Sequence, residues 1–519
     1  MAPAAVWLAC TLVASAVFGW LAAHNLANFR PVSNDEVELI AVAYKLATQG
    51  VLGSDMYVGF FGGDQHHFET LPLQHVLDAL SFRFFGVGVG QARLISLLAG
   101  ISVVWSTSWL AFRWYGLLTA LICELLLVAW PSNLTAASNG LPLLGVSRTA
   151  RYDVLGLAGV WLAIVLVDLT LRRPRAIHAL GAGLCCGLAM LSQFFGAFVL
   201  PFALAVWLAS RTRLSVVGAW LLGAVLVLAP YAVFATRYLA DAAGQLTVFG
   251  ERGDFARPGF YLENLLSEWT RYAHLAPTSA STWLLALGTL AGVLMLARRR
   301  TTGDRLVLGS LAVFAAGLTL LDQTKVPLYG VLLVPSVCLV LAAGIAALVV
   351  WARQAMRPAW LRVAAGALAL AGLVSVGVDG VTAYRVDWQE ASQVTPYLEL
   401  GEQIRAAVPP GTPVLGPERW WLPLREHDYL SLRSLWFQWA AAARHGDPRF
   451  IDWVSHAQPD RVIVNINIRA DIRAFPAALQ AQFWRFVDEC TTLLAELDDA
   501  TYFNTQVYAV LRPPPPSCS

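Results

Sequence analysis

Residues 34–50 read Asn34-Asp35-Glu36-Val37-Glu38-Leu39-Ile40-Ala41-Val42-Ala43-Tyr44-Lys45-Leu46-Ala47-Thr48-Gln49-Gly50, and they follow shortly after the chain's first long apolar segment, Ala4–Ala23. The stretch opens with a helix-capping signature, carries apolar residues at helical spacing and ends at a glycine, so it predicts an amphipathic helix lying on a membrane surface. A second element of the same kind, Leu71–Phe85, leads through a glycine-rich turn at 86–90 into the next apolar run. Acidic residues held there, beside both headgroups and water, are the best candidates for chemistry.

The rest of the chain sets the context. With 57% hydrophobic and 13% charged residues and a mean hydropathy of +0.58, a chain of 519 residues is excluded from the soluble class and reads as a polytopic α-helical membrane protein. A spanning helix needs about 20 apolar residues. Such stretches are Ala4–Ala23, Leu94–Phe112, Leu117–Pro131, Val154–Leu171, Leu214–Ala235, Ser281–Ala297, Leu306–Leu321, Val326–Trp351 and Leu361–Val378. The run Ile177–Ala209 has Arg172, Arg173 and Arg175 before it and Arg211 and Arg213 after it. Positive residues mark the cytoplasmic side, so the run is expected to cross twice and turn near Ser192–Gln193. The expectation is therefore about eleven spans, with the N-terminus inside and the C-terminus outside; a cleaved signal peptide is the alternative for the first segment.

Two domains follow: a membrane domain, 1–379, with interfacial helices in its first outer loop, and an extracytoplasmic α/β domain, 380–519. In the latter, Arg461–Ile468 alternates as a half-buried strand does, Gln506–Leu511 reads as a second strand, and Ala477–Leu497 has helical periodicity with Trp484, Phe486 and Val487 on one face. Cys10, Cys123, Cys185, Cys186 and Cys338 fall in spans, as small apolar residues do. Cys490 and Cys518 lie outside them, and their spacing leaves a disulfide and two free thiols equally open. The net charge of +2 identifies no partner, and nothing points to nucleic acid.

Each candidate residue has a bland reading beside the sharp one. Asp35 and Glu36 at a helix start serve as cap and dipole match. Asp153, in Arg148-Thr149-Ala150-Arg151-Tyr152-Asp153, is an ion-paired cap or a second functional acid. Lys325 is an interfacial anchor or an anion contact; the chain has 34 Arg and only two Lys, the other being Lys45, which makes it compositionally unexpected. His66-His67-Phe68-Glu69, with His75 beyond, offers ligand types that a divalent metal accepts at a spacing that assigns none, so metal binding and substrate contact both stay open. Glu124, inside a span, reads as a neutralised structural acid.

These features together resemble the GT-C membrane glycosyltransferases, especially the aminoarabinose transferase and protein O-mannosyltransferase branch. The resemblance rests on the acidic pair after the first span, the surface helix ending in Gly50, the run Leu71–Gly100 before the second span, Asp153 in the next outer loop, Gly187–Ala205 in the middle and Lys325–Gly344 near the end. It covers residues 1 to about 378, while the tail matches as a generic outer domain.

The resemblance implies an inverting glycosyltransferase of a bacterial inner membrane that builds a cell-envelope glycan, a source that the Arg-rich composition also favours. It would move a sugar from a polyprenyl-phosphate donor to a lipid, protein or glycan acceptor on the outer face. Asp35 sits where that family keeps its catalytic base, Glu36 supports it or points away, and Asp153 matches a second acid. Substrate contact is expected at Lys325, Tyr329, His66, His67, Glu69, Arg93 and Arg151. The chain departs from the family at Glu69-Thr70-Leu71-Pro72, where relatives carry a Lys-Pro-Pro-like motif, which puts the donor lipid in question. Competing readings are an O-antigen polymerase or ligase, against which the acidic pair after the first span counts, and a transporter or flippase of lipid-linked substrates, which should show an internal repeat that is not found here.

Overall fold

The computed structural model describes residues 3–129, 142–249, 257–272, 280–355, 359–435, 454, 458–473 and 477–512. The chain divides into two compact units: Met1–His24 with Arg93–Val233 and Arg252–Gln389, and Asn25–Ala92 with Phe234–Glu251 and Glu390–Ser519. The boundary expected at 379/380 falls inside the continuous helix Ala359–Gln393.

The first unit is helical. Across the described residues, seven helices are long and apolar enough to cross a membrane: Pro3–Ala23, Val89–Tyr115, Tyr152–Arg172, Leu214–Arg237, Thr302–Leu321, Pro327–Trp351 and Arg362–Ala406. Three further segments of the expected eleven are apolar but shorter, Leu117–Ala129, Ala176–Ser192 and Phe194–Ala209. Leu117–Ala129 is helical to the last described residue before 130, and the rest of the stretch expected to Pro131 lies outside the described residues. The stretch expected over Ser281–Ala297 lies in the 20-residue helix Ala280–Arg299, outside that set. The run Ile177–Ala209 does break at Gln193, in extended conformation between two helices. Small residues let these helices approach closely: a Cβ on Gly183 would meet the Trp220 carbonyl oxygen at 1.9 Å, and one on Gly223 the Leu180 carbonyl oxygen at 2.2 Å.

Two charged groups inside this unit are paired. Glu124 accepts hydrogen bonds from the hydroxyls of Thr11 and Ser108, as a structural acid should. Arg148 bonds Asp387 at 3.1 Å and donates to the Leu21 and Ala22 carbonyls.

The second unit joins the first-loop helices to the tail. The helix Asn34–Gln49 is capped by Ser33, one residue before the expected start: Ser33 Oγ accepts from the Glu36 N–H, and the Glu36 carboxylate accepts from the Ser33 N–H, both at 3.3 Å. Gly50 ends it at φ 73°, the left-handed conformation that costs glycine least. The helix Pro72–Phe85 packs against it, with proline in its first turn.

The tail holds a mixed five-stranded sheet, β1 (Val414–Gly416), β2 (Tyr429–Ser431), β3 (Arg461–Asn465), β4 (Thr491–Leu497) and β5 (Thr505–Val510), in the order β2-β1-β3-β5-β4. β1 runs parallel to β2 and β3; β5 runs antiparallel to β3 and β4. Two expectations need correction. The strand expected over Arg461–Ile468 stops at Asn465, whose side chain accepts from the Ile468 N–H and starts the helix Ile466–Ile472. The helix expected over Ala477–Leu497 stops at Cys490, and the rest is β4. Leu493 and Leu494 are exposed there, so backbone pairing with β5, and not burial of a face, makes the segment a strand. Val462, Val464, Phe483, Phe486 and Val487 form the core between sheet and helix, with Trp484 packed partly against them. Cys490 is disulfide-bonded; Cys518 and the 513–516 proline run lie outside the described residues.

Candidate active site

In the second unit, the cap at Ser33 decides which first-loop acid does what. Glu36 is spent on the capping box and is 1% exposed. Asp35, one position earlier, presents a side chain that is 55% exposed. Glu38 lies a turn further on, buried, and Arg433 reaches it from just beyond β2, at 3.7 Å, and Asp35 at 3.9 Å. Burial, and then the charge of Glu69, hold the Glu38 carboxyl well above the ordinary range, and the two acids share a hydrogen bond. Burial works against the charge of Arg433, but Glu38, Glu418, Asp35 and Glu69 outweigh it and raise its pKa.

His67 stands beside these acids. One ligand atom from each of Glu38, His67 and Glu69 lies within 4.8 Å of the other two, so this trio could hold a metal ion. His67 is joined through the Thr70 hydroxyl to His75, at 3.0 and 2.7 Å. Burial lowers both imidazoles, His75 to about 4, so both are neutral near pH 7. His66 faces a different set, pairing with Asp241 at 2.8 Å and stacking on Tyr238. A cleft of about 1200 Å³ in the same unit is lined by Tyr44, Asp55, Trp421, Glu426, His427 and Asp428, among others.

The remaining expected residues lie in the first unit. Asp153 is fully buried, 2.7 Å from Arg151 and 2.5 Å from the Gln193 amide. Lys325 is buried with φ 51° and donates to Glu268 at 2.8 Å and to the Thr319 carbonyl at 2.7 Å. Glu268 also binds Arg271, which reaches Asp322. Burial raises Glu268, but hydrogen bonds and charges from Arg271 and Lys325 prevail and its carboxyl ends below the usual range. Tyr329 packs its ring on Phe195, and Arg93 is fully buried.

The structure thus gathers Asp35, His67 and Glu69 from the expected set and adds Glu38 and Arg433. Glu38 had a signal in the sequence, since it follows Asp35 by three residues on one helix. Arg433 had none, because only the tertiary fold brings it there.

The fold is that of the GT-C glycosyltransferases, so the likeness read from the motifs holds at the level of architecture. ArnT from Cupriavidus metallidurans in the apo state superposes with a TM-score of 0.59 at 15% identity, covering 98% of each chain. The same protein bound to undecaprenyl phosphate gives 0.58 at 15% identity, covering 99% of each. The Archaeoglobus fulgidus oligosaccharyltransferase in its apo form gives 0.55 at 12% identity, over 98% of this chain and 74% of that one. No family model and no curated protein sequence matches the chain.

Proposed function

We propose that the chain is a membrane glycosyltransferase that transfers a sugar from a polyprenyl-phosphate donor to an acceptor hydroxyl on the outer face of a bacterial inner membrane. The observation that carries this reading is a fold shared end to end with ArnT, one structure of which holds undecaprenyl phosphate. The exposed carboxylate of Asp35, at the first turn of the first-loop helix, supports it as the candidate base.

In this reading Asp35 takes the proton of the acceptor hydroxyl as its oxygen attacks the anomeric carbon. The bond from that carbon to the phosphate oxygen breaks on the opposite side, the electron pair leaves with the lipid phosphate, and the configuration inverts. The leaving phosphate needs a cation. Lys325 serves there only if it is released from Glu268, whereas Arg433 already stands beside Asp35. Asp153, Arg151, Arg93 and Tyr329 remain proposed substrate-side residues, and His66 lies with Asp241 and Tyr238. The cleft beside Tyr44 and Trp421 offers the acceptor rings and carboxylates, a combination suited to a sugar. A disulfide at Cys490 supports an extracytoplasmic tail, because such bonds persist in oxidising compartments.

The test is a mass spectrum of envelope glycans and glycolipids from a strain lacking the gene, restored with wild-type or Asp35→Asn protein. Loss of one sugar substituent, regained with wild type alone, is expected. An unchanged envelope, or full restoration by the Asn variant, overturns the reading.

A further inference from the structure

The hydrogen bonds around His67 fix where its protons are. The Leu39 carbonyl can only accept, so His75 Nδ1 at 3.3 Å must be the donor. Neutral His75 then carries its lone pair on Nε2, and the Thr70 hydroxyl, 2.7 Å away, donates to it. With its hydrogen committed, the Thr70 oxygen accepts from His67 Nε2–H at 3.0 Å. His67, also neutral, is left with a lone pair on Nδ1. That atom is buried and has no hydrogen-bond partner among the described residues, and the His67 side chain is 1% exposed.

A buried lone pair beside two carboxylates is unfavourable unless something positive lies between them. A proton held between Glu38 and Glu69 would leave Nδ1 unmet. A divalent cation would meet all three. Charge agrees in sign: Glu38, Glu418, Asp35 and Glu69 surround the single cation Arg433, an excess of acid that a bound cation would offset.

We propose that Glu38, His67 and Glu69 form a divalent-cation site, with Thr70 and His75 as positioning residues that hold the His67 tautomer. One imidazole and two carboxylates suit zinc or manganese, and cobalt as a spectroscopic substitute. The Leu39–His75–Thr70 relay is the outer shell that fixes ring orientation in metal sites of this kind. The site stands whether or not the chain transfers a sugar, because it is read by binding alone.

The test is a cobalt titration of the full chain in nanodiscs after chelator treatment, followed by its visible absorption and competed with zinc. One equivalent should bind. Glu38→Gln and His67→Gln should abolish the band. Thr70→Val should weaken binding about 10- to 100-fold, while Thr70→Ser, which keeps the relay hydroxyl, should retain it. His66→Gln, which removes the neighbouring but separately paired imidazole, should leave affinity unchanged. Folding is checked for every variant by monodisperse elution. No stoichiometric binding to the wild type, or binding equally tight in Thr70→Val and Thr70→Ser, overturns the proposal.

Discussion

The guanidinium of Arg433 stands 3.7 Å from the carboxylate of Glu38, joining a residue just past the tail's second strand to one on the first-loop helix. Two segments far apart in sequence thereby share one electrostatic centre, in which a single cation offsets several acids.

Removing that cation should be felt in stability. Arg433→Met leaves Asp35, Glu38 and Glu69 facing one another, and a loss of about 1–3 kcal/mol is expected for a partly exposed pair. Thermal unfolding in detergent measures it. Adding Glu38→Gln should recover part of the loss, and purely additive effects would show that the two side chains are not coupled.

Asp35→Asn should keep the protein folded and lower transfer about a hundredfold or more, since the amide keeps the size and loses the basic oxygen. Glu36→Gln should cost far less activity, because that carboxylate is engaged with the Ser33 N–H. Initial rates with a labelled polyprenyl-phosphate sugar would decide. If Asp35→Asn is active and Asp153→Asn is dead, the base lies in the other unit.

Lys325 has two roles to separate. If the pair with Glu268 is structural, Lys325→Met and Glu268→Gln each destabilise, and their effects are non-additive by about 1–3 kcal/mol. The pH dependence has a definite sign: the carboxyl of Glu268 is depressed in the folded state, so its contribution is present above the ordinary glutamate range and is lost as pH falls through the folded value. If Lys325 instead binds the donor phosphate, Lys325→Ala weakens donor use with little change in melting temperature, and Lys325→Arg partly restores it.

The tail is expected outside the cytoplasm. A reporter that works only in the cytoplasm, fused after Leu511, should stay silent. Non-reducing electrophoresis of the full chain should show a mobility shift that Cys490→Ser removes. An active fusion would reverse the orientation drawn from the arginine-rich loops.

Sequence alone determined the membrane class, the two first-loop helices, the break at Gln193 and the likeness in fold, because apolar composition, helical spacing and caps are local and the bilayer demands long apolar runs. Span count resisted it: seven helices among the described residues are long enough to cross, Leu117–Ala129 runs to the edge of those residues, and Ala176–Ser192 and Phe194–Ala209 are the short pair that the run Ile177–Ala209 leaves room for. β4 resisted it too, because Leu493 and Leu494 show no buried face and the strand exists only through its pairing with β5. The partners of the acids were decided by tertiary structure. Asp35, Glu36 and Glu38 lie within one helical turn, yet one is exposed, one closes a cap and one meets Arg433 and Glu69, and those differences come from residues that only the folded chain brings near.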